Sequence, residues 1–310
     1  MTQLYISSQL RSFFKVPFCS DLDTLNSMVA FVGVPFDQGT FGRPGARFGP
    51  DTIRDAPRSY VYLDVFGKQV EAEGFFDIDT NNELLSGITM ADCGNIAILP
   101  SDVLQNFSKI SNVVEKIVSK NAFPVVIGGD HSITFPVVCG LNKFPSIDIV
   151  HFDAHLDYTH DYQGNYYTHG SPIRRCRELP YVNNITSIGI RSARRKPYEE
   201  AQKDGNTIFT TKQFHDMGPR FIANKVPKSK NLYITFDIDV MDPSQAPGTG
   251  TPEIGGLFYQ EVKECLVTLI KINNVIGFDM VEVAPIYDSS DITSQLAAKL
   301  IIDILSAKFS

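Results

Sequence analysis

Short apolar runs alternate with segments of helical spacing along the chain, and this alternation predicts an α/β protein: a three-layer α/β/α sandwich around a central, mostly parallel sheet. Three observations carry the prediction. The runs are rich in Val, Ile and Phe, and several are apolar on both faces, as strands of a covered parallel sheet must be. Each run is followed by Gly, Pro or Asp and then by a helical pattern, which is the rhythm of right-handed βαβ crossovers. No internal repeat, low-complexity tract or composition shift divides residues 1–310, so the chain reads as one domain.

The first strand is expected over residues 29–34. A helix opens at Ser101, a Ser in N-cap position, and sets Val103, Leu104, Phe107, Ile110, Val114, Ile117 and Val118 on one stripe. Further strands are predicted over residues 125–127, 147–152, 185–190, 232–236 and 275–281, with helices over 259–271 and 292–305. In such folds ligands bind beyond the carboxyl ends of the strands.

The balance of 35 acidic against 28 basic residues, a formal net charge of −7, argues against a nucleic-acid binder or a protein resting on anionic lipid, because both need a basic surface. The five cysteines, Cys19, Cys93, Cys139, Cys176 and Cys265, are widely spaced with no Cys-x-x-Cys pair, and read as reduced thiols. Gln3, Ser7, Ser8, Arg11 and Lys15 interrupt the apolar residues of the first eighteen positions, so no secretory signal is expected there. No run approaches the roughly 18 apolar residues of a spanning helix. A cytoplasmic protein without a membrane partner is the expectation.

Four predicted strand ends carry unusual chemistry. Gly128-Gly129-Asp130-His131-Ser132 follows residue 127, and Asp153-Ala154-His155-Leu156-Asp157 follows residue 152. Asp237-Ile238-Asp239 follows residue 236, and Glu282 follows residue 281. Neither a Walker loop nor Gly-x-Gly-x-x-Gly occurs. In an extended chain the period of two turns Asp153, His155 and Asp157 to one side, and does the same for Asp237 and Asp239. Four carboxylates converging without neutralisation would repel one another or be forced to protonate, so a cation is expected among them. Oxygen-rich donors with a few imidazoles and no thiolate favour manganese or magnesium over a structural zinc, and so many ligands suggest two ions sharing carboxylates. His151, two residues before Asp153, either points away or supports the ligands, while His160 and His215 read as solvated.

These motifs resemble the ureohydrolases, the arginase and agmatinase family of binuclear manganese enzymes. The resemblance runs from Phe31-Val32-Gly33-Val34-Pro35-Phe36-Asp37 through Gly248-Thr249-Gly250-Thr251-Pro252 to Asp279-Met280-Val281-Glu282-Val283-Ala284-Pro285, and it implies the arginase-like version of the sandwich. By resemblance one manganese takes His131, Asp153, Asp157 and Asp237, and the other takes Asp153, His155, Asp237 and Asp239, with Asp153 and Asp237 bridging. The resemblance implies that a bridging water supplies hydroxide near neutral pH for attack on a guanidinium, with release of urea and a primary amine. Glu282 is then the carboxylate that pairs with the guanidinium, and Asp157 carries the proton to the departing amine. His169 is a proton shuttle or substrate contact at the pocket mouth. Trimers or hexamers are implied by resemblance alone.

Within the family the segments around Phe13, Arg43 and Gly248 resemble the agmatinase branch, so agmatine is the expected substrate, giving putrescine and urea. The run His169-Gly170-Ser171-Pro172-Ile173-Arg174-Arg175 instead resembles hydrolases of guanidino acids: guanidinobutyrase, guanidinopropionase and proclavaminate amidinohydrolase. An ammonium tail and a carboxylate tail want opposite partners. Arg174 or Arg175 facing the pocket would favour the acid, whereas Asp161 or Glu178 would favour agmatine. A formimidoylglutamase, releasing formamide in place of urea, and a catalytically silent regulatory homologue are the remaining alternatives.

Overall fold

The computed structural model describes residues 12–56, 75–78 and 81–309. Gln3, Ser7, Ser8 and Arg11, on which the reading of the first eighteen positions rests, lie outside the described residues.

In chain order the elements are β1 (Val29–Gly33), α1 (Gly49–Asp55), β2 (Phe75–Asp77), β3 (Asn82–Leu84), β4 (Met90–Asn95), α2 (Val103–Ser119), β5 (Phe123–Ile127), α3 (Thr134–Cys139), β6 (Ile147–Phe152) and α4 (Pro172–Arg177). They continue with β7 (Val182–Ile190), α5 (Arg195–Lys203), β8 (Thr207–Thr210), α6 (Thr211–Met217), α7 (Pro219–Lys225), β9 (Leu232–Asp237), α8 (Tyr259–Ile272), β10 (Val275–Val281) and α9 (Ile292–Phe309). Strands β2 and β3 form a separate antiparallel hairpin. The other eight make one sheet in the order β4-β1-β5-β10-β9-β6-β7-β8, and every pairing in it is parallel.

The layers follow from apolar patterning. Strands β1, β5, β9 and β10 are buried along their whole length, so both faces must be covered. One face packs against α1, α7, α8 and α9 through Ile53, Ile222, Leu266 and Ile301. The other packs against α2, α3, α4 and α5 through Ile110, Val137, Ile173 and Ala201. The sandwich is therefore the predicted one.

Two details of α2 differ from expectation. Its cap is Asp102, whose carboxylate accepts the Gln105 N–H at 3.0 Å, because Ser101 has φ +60° and cannot take the extended backbone of an N-cap. Leu104 stands off the stripe and is 63% exposed.

The strand order positions the site. After β5 the chain skips two places to lay down β6, and β9 and β10 later fill the gap. The four chemically loaded strands are thereby neighbours at the centre of the sheet, β5-β10-β9-β6, with all their carboxyl ends on one side. The crevice beyond a reversal of strand order is where open α/β sheets bind ligands.

Candidate functional site

The loop after β5 is shaped by close packing. The Gly129 N–H donates to Val34 O at 3.0 Å, and a Cβ on Gly129 would lie 2.1 Å from Phe36 O, so only glycine fits. Asp130 then caps a 3₁₀ turn, His131–Ile133, accepting the Ser132 N–H at 2.9 Å and the Gly39 N–H at 2.8 Å. Burial and the nearby Glu282 carboxylate push the Asp130 carboxyl up to about 6. The turn aims His131 across the crevice.

The His131 ring is fixed from behind, with Nε2 2.9 Å from Thr235 Oγ1 on β9. Its Nδ1 is buried without a hydrogen-bond partner, yet it faces three carboxylate oxygens: Asp157 Oδ2 at 3.0 Å and Asp153 Oδ2 and Asp237 Oδ2 at 3.1 Å each. A second grouping shares Asp153. His155 Nδ1 lies 3.1 Å from Asp239 Oδ2 and 3.5 Å from Asp153 Oδ1. The two oxygens of Asp153 thus face opposite halves of one cluster.

Backbone amides lock the acids in place. Asp153 Oδ1 accepts the His155 N–H at 2.5 Å, Asp237 Oδ1 accepts the Asp239 N–H at 2.9 Å, and Asp239 Oδ1 accepts the Ala154 N–H at 3.2 Å. The sequence predicts an extended chain through Asp237-x-Asp239. Instead β9 ends at Asp237 and residues 238–240 make a 3₁₀ turn, because Asp237 itself caps the turn that delivers Asp239. Asp157 reaches the cluster with φ +50° and Glu282 stands at φ +63°, two strained backbones in one site. His151 resolves to support: its Nε2 is 2.7 Å from Asp153 Oδ2 and its Nδ1 is 3.0 Å from Ser187 Oγ.

Charge in this cluster does not balance on its own. Burial, Asp239 and Asp153 push the Asp237 carboxyl well above the usual carboxylate range. Burial opposes a proton on His131, but Asp153, Asp157 and Asp237 together hold that imidazole well above its ordinary value. His155 is driven the same way by Asp239 and Asp153 against its own burial. The donor set is acceptor-rich, contains imidazole and carboxylate but no thiolate, and surrounds a nitrogen with no partner. His131, Asp153 and Asp157, joined by Asp237 at 3.1 Å from the same nitrogen, and His155 with Asp239 therefore fit oxygen-loving divalent cations.

Beside the cluster lies a cavity of about 320 Å³, reached by Asp157, Asp237, His155, His169 and Glu282. Glu282, 2% exposed, has Oε1 engaged by the His131 N–H at 2.9 Å and by His169 Nδ1 at 3.1 Å. The sequence places His169 at the pocket mouth. It sits instead in the wall, 9% exposed, with Nε2 accepting the Phe41 N–H at 3.1 Å and its ring edge-on to Phe41. Burial works against a charge on this imidazole, but Glu282 outweighs it and pushes the pKa up to about 9.

None of the four residues expected to read a substrate tail lines the cavity. Arg174 pairs with Glu200 at 2.7 Å, Arg175 pairs with Glu178 at 2.7 Å, and Asp161 accepts from Gly164 N–H at 2.9 Å in its own turn. The charged residue that does line the outer wall is Arg194, which sequence reasoning missed. It follows β7, so the strand-end rule pointed to it, but its chemistry is not that of the acids and imidazoles that mark a cation site. His160 is exposed beside Asp161, and His215 lies against Glu261 on the surface.

Comparison with known proteins bears on this geometry. The family model described as Arginase family matches residues 27–306. An agmatinase from Bacillus cereus is 33% identical over 283 residues, covering 90% of this chain and 91% of the relative. A mitochondrial guanidino acid hydrolase from Homo sapiens is 35% identical over 286 residues, covering 90% of this chain and 77% of the relative. The solved proclavaminate amidino hydrolase from Streptomyces clavuligerus superposes with a TM-score of 0.85 at 32% identity, covering 97% of each chain. Among the described residues no helix is long and apolar enough to cross a membrane.

Proposed function

The chain belongs to the arginase family and is a ureohydrolase-type enzyme, and we propose that it holds two manganese ions at the strand ends and cleaves a linear guanidino compound to urea and a primary amine. The observation that carries the metal reading is the buried His131 Nδ1, unpartnered and facing three carboxylate oxygens at 3.0–3.1 Å. One ion would take His131, Asp153, Asp157 and Asp237, and the other Asp153, His155, Asp237 and Asp239. Bound there, the pair would supply a water acidified enough to act as a nucleophile near neutral pH.

The remaining roles belong to the chain itself. A guanidinium is a poor electrophile because its charge is delocalised, so it must be held rigidly. Glu282 is suited to hold it, since its Oε1 is pinned by the His131 N–H and His169, its backbone is held in place at φ +63°, and it reaches the cavity. His169 orients Glu282 and closes the wall of the pocket. After water adds to the guanidinium carbon, the nitrogen leaves as an amine only once it gains a proton, and Asp157, which borders both the cluster and the cavity, would take that proton from the added water and pass it on.

Agmatine is the substrate suggested by the agmatinase-like segments and by relatives such as the Bacillus cereus protein. Arg194 on the cavity wall weighs the other way, toward a guanidino acid. The protein is proposed to act in the cytoplasm as a homo-oligomer, a trimer or hexamer. Metal analysis joined to a urea-release screen over arginine, agmatine, 4-guanidinobutyrate, 3-guanidinopropionate and guanidine tests the proposal. Two manganese ions per chain and urea from at least one of these compounds are expected. Formamide released from an imine substrate with no urea from any guanidine would refute it.

A further inference from the structure

We propose that Arg194 reads the far end of the substrate and that the guanidino compound taken by this chain carries a carboxylate there, as an ω-guanidino acid; this rests on the urea-releasing reaction proposed above. The cavity has two chemically distinct walls. Asp237 and Glu282 are buried and, with the half-buried Asp157, form the inner one, while the half-buried Ser192 and Pro197 and the exposed Ala193 and Arg194 form the outer one. A linear substrate with its guanidinium at Glu282 extends toward the outer wall.

The acids of the inner wall are already used. Asp157 and Asp237 face His131, and Glu282 is the partner of the guanidinium. An ammonium tail would need a further carboxylate, and no other Asp or Glu of the described residues lines the cavity. Asp161 and Glu178, the acids the sequence offered for an ammonium tail, are occupied by His160 with its own turn and by Arg174 with Arg175. Glu253 stands 3.5 Å from His155 Nε2 and does not itself line the cavity.

Arg194 differs from the other arginines around the site. Arg174 is held by Glu200 and Arg175 by Glu178, and Arg191 is spent on the backbone carbonyls of Asp239 and Glu253. No carboxylate among the described residues is paired with Arg194, and its side chain is exposed. It also stands at the start of α5, where no side chain caps the helix and no acid occupies the first turn. The exposed Arg195 and Lys196 follow it. The outer wall therefore offers a planar two-pronged donor, reinforced by the positive end of a helix. A carboxylate gains charge-assisted hydrogen bonds there, whereas an ammonium loses its hydration beside a like charge.

The test measures kcat/KM of the manganese-loaded protein for 4-guanidinobutyrate and agmatine, each relative to butylguanidine, which has no charged tail. The wild-type chain should favour the acid over agmatine by about tenfold to a hundredfold, the size of one charge-assisted contact. Arg194→Gln should erase most of that preference through KM, and Arg194→Glu should turn it toward agmatine. A wild-type preference for agmatine, or an Arg194→Gln ratio equal to that of the wild type, would overturn the inference while leaving urea release intact. No urea from any of the three compounds would instead bring down the underlying reaction, and the inference with it.

Discussion

Two buried carboxylate networks stand in the same sheet, and only one of them closes. At the edge, Asp92 on β4 takes Arg54 Nε and the Phe13 N–H on Oδ2 at 2.8 and 2.9 Å, and Arg54 Nη2 and the Gly94 N–H on Oδ1 at 3.0 and 2.8 Å. Arg54 spends its other donors on Asn95 Oδ1 and Gly94 O. Arg54 also stands 3.6 Å from the half-exposed Asp51 carboxylate, and with its buried donors and acceptors matched the edge network joins α1 to the sheet. At the centre, four carboxylates face His131 and His155, with His151 behind Asp153, and the buried His131 Nδ1 has no partner. A network that closes is structure; one left with surplus acceptors is suited to a cation.

Breaking the open network should cost most. Asp237→Asn removes a charge from the carboxylate proposed to bridge the two ions and replaces part of it with an amide donor. Urea release should fall on the order of a thousandfold or more, with manganese content dropping below two per chain by elemental analysis. Full activity in this variant would remove Asp237 from the centre. Breaking the closed network should act on stability instead. Arg54→Met strands Asp92 in the core, and unfolding free energy should fall by about 3–5 kcal/mol in denaturant titration. Turnover per folded molecule should stay near that of the wild type. Replacing both partners, Arg54→Met with Asp92→Leu, should recover much of the loss, which separates a satisfied pair from a ligand set.

His151 lies between these extremes, a support that touches the open network from behind. His151→Leu removes the Nε2 contact to Asp153 Oδ2 and leaves Ser187 Oγ without its ring partner. Manganese affinity should weaken by about 10- to 100-fold in equilibrium dialysis, with the fold intact by circular dichroism. Unchanged affinity would show that Asp153 needs no such support.

The same contrast explains what the sequence disclosed. Central strands are buried on both faces, so β5, β6, β9 and β10 announce themselves as apolar runs, and their loaded ends were legible with them. The two strands of the main sheet that went unread, β4 and β8, are its edges. β4 carries Asp92, Gly94 and Asn95, polar because an edge can seat the Arg54 network, and β8 is four residues with half-exposed side chains. The spacing of two foretold that Asp237 and Asp239 would converge, but the 3₁₀ turn between them depends on Asp237 capping its own successor. Arg194 was hidden for a different reason: clustered acids and imidazoles advertise a cation site, whereas a lone arginine after a strand becomes an anion site only when the fold sets it on the outer wall of the cavity.

The smallest effect concerns the pair that is closed yet borders the cavity, His169 with Glu282. Glu282 raises the His169 pKa to about 9, above the roughly 6.5 of a free imidazole, so the folded state takes up the second ring proton more readily than the unfolded chain, giving up the Phe41 N–H that only the neutral Nε2 accepts. The contribution to stability is therefore fully present at and below about pH 6.5 and is lost as pH rises through about 9. His169→Gln keeps a polar side chain but cannot titrate. In protein freed of divalent ions, whose charge would oppose the extra proton, the wild type should exceed this variant in stability by about 1–2 kcal/mol at pH 6 and by little at pH 9.5. Chemical denaturation at both pH values measures the difference. A gap that stays constant across that range would mean that the pair contributes by packing and hydrogen bonding alone, and would group His169 with the closed network at the sheet edge.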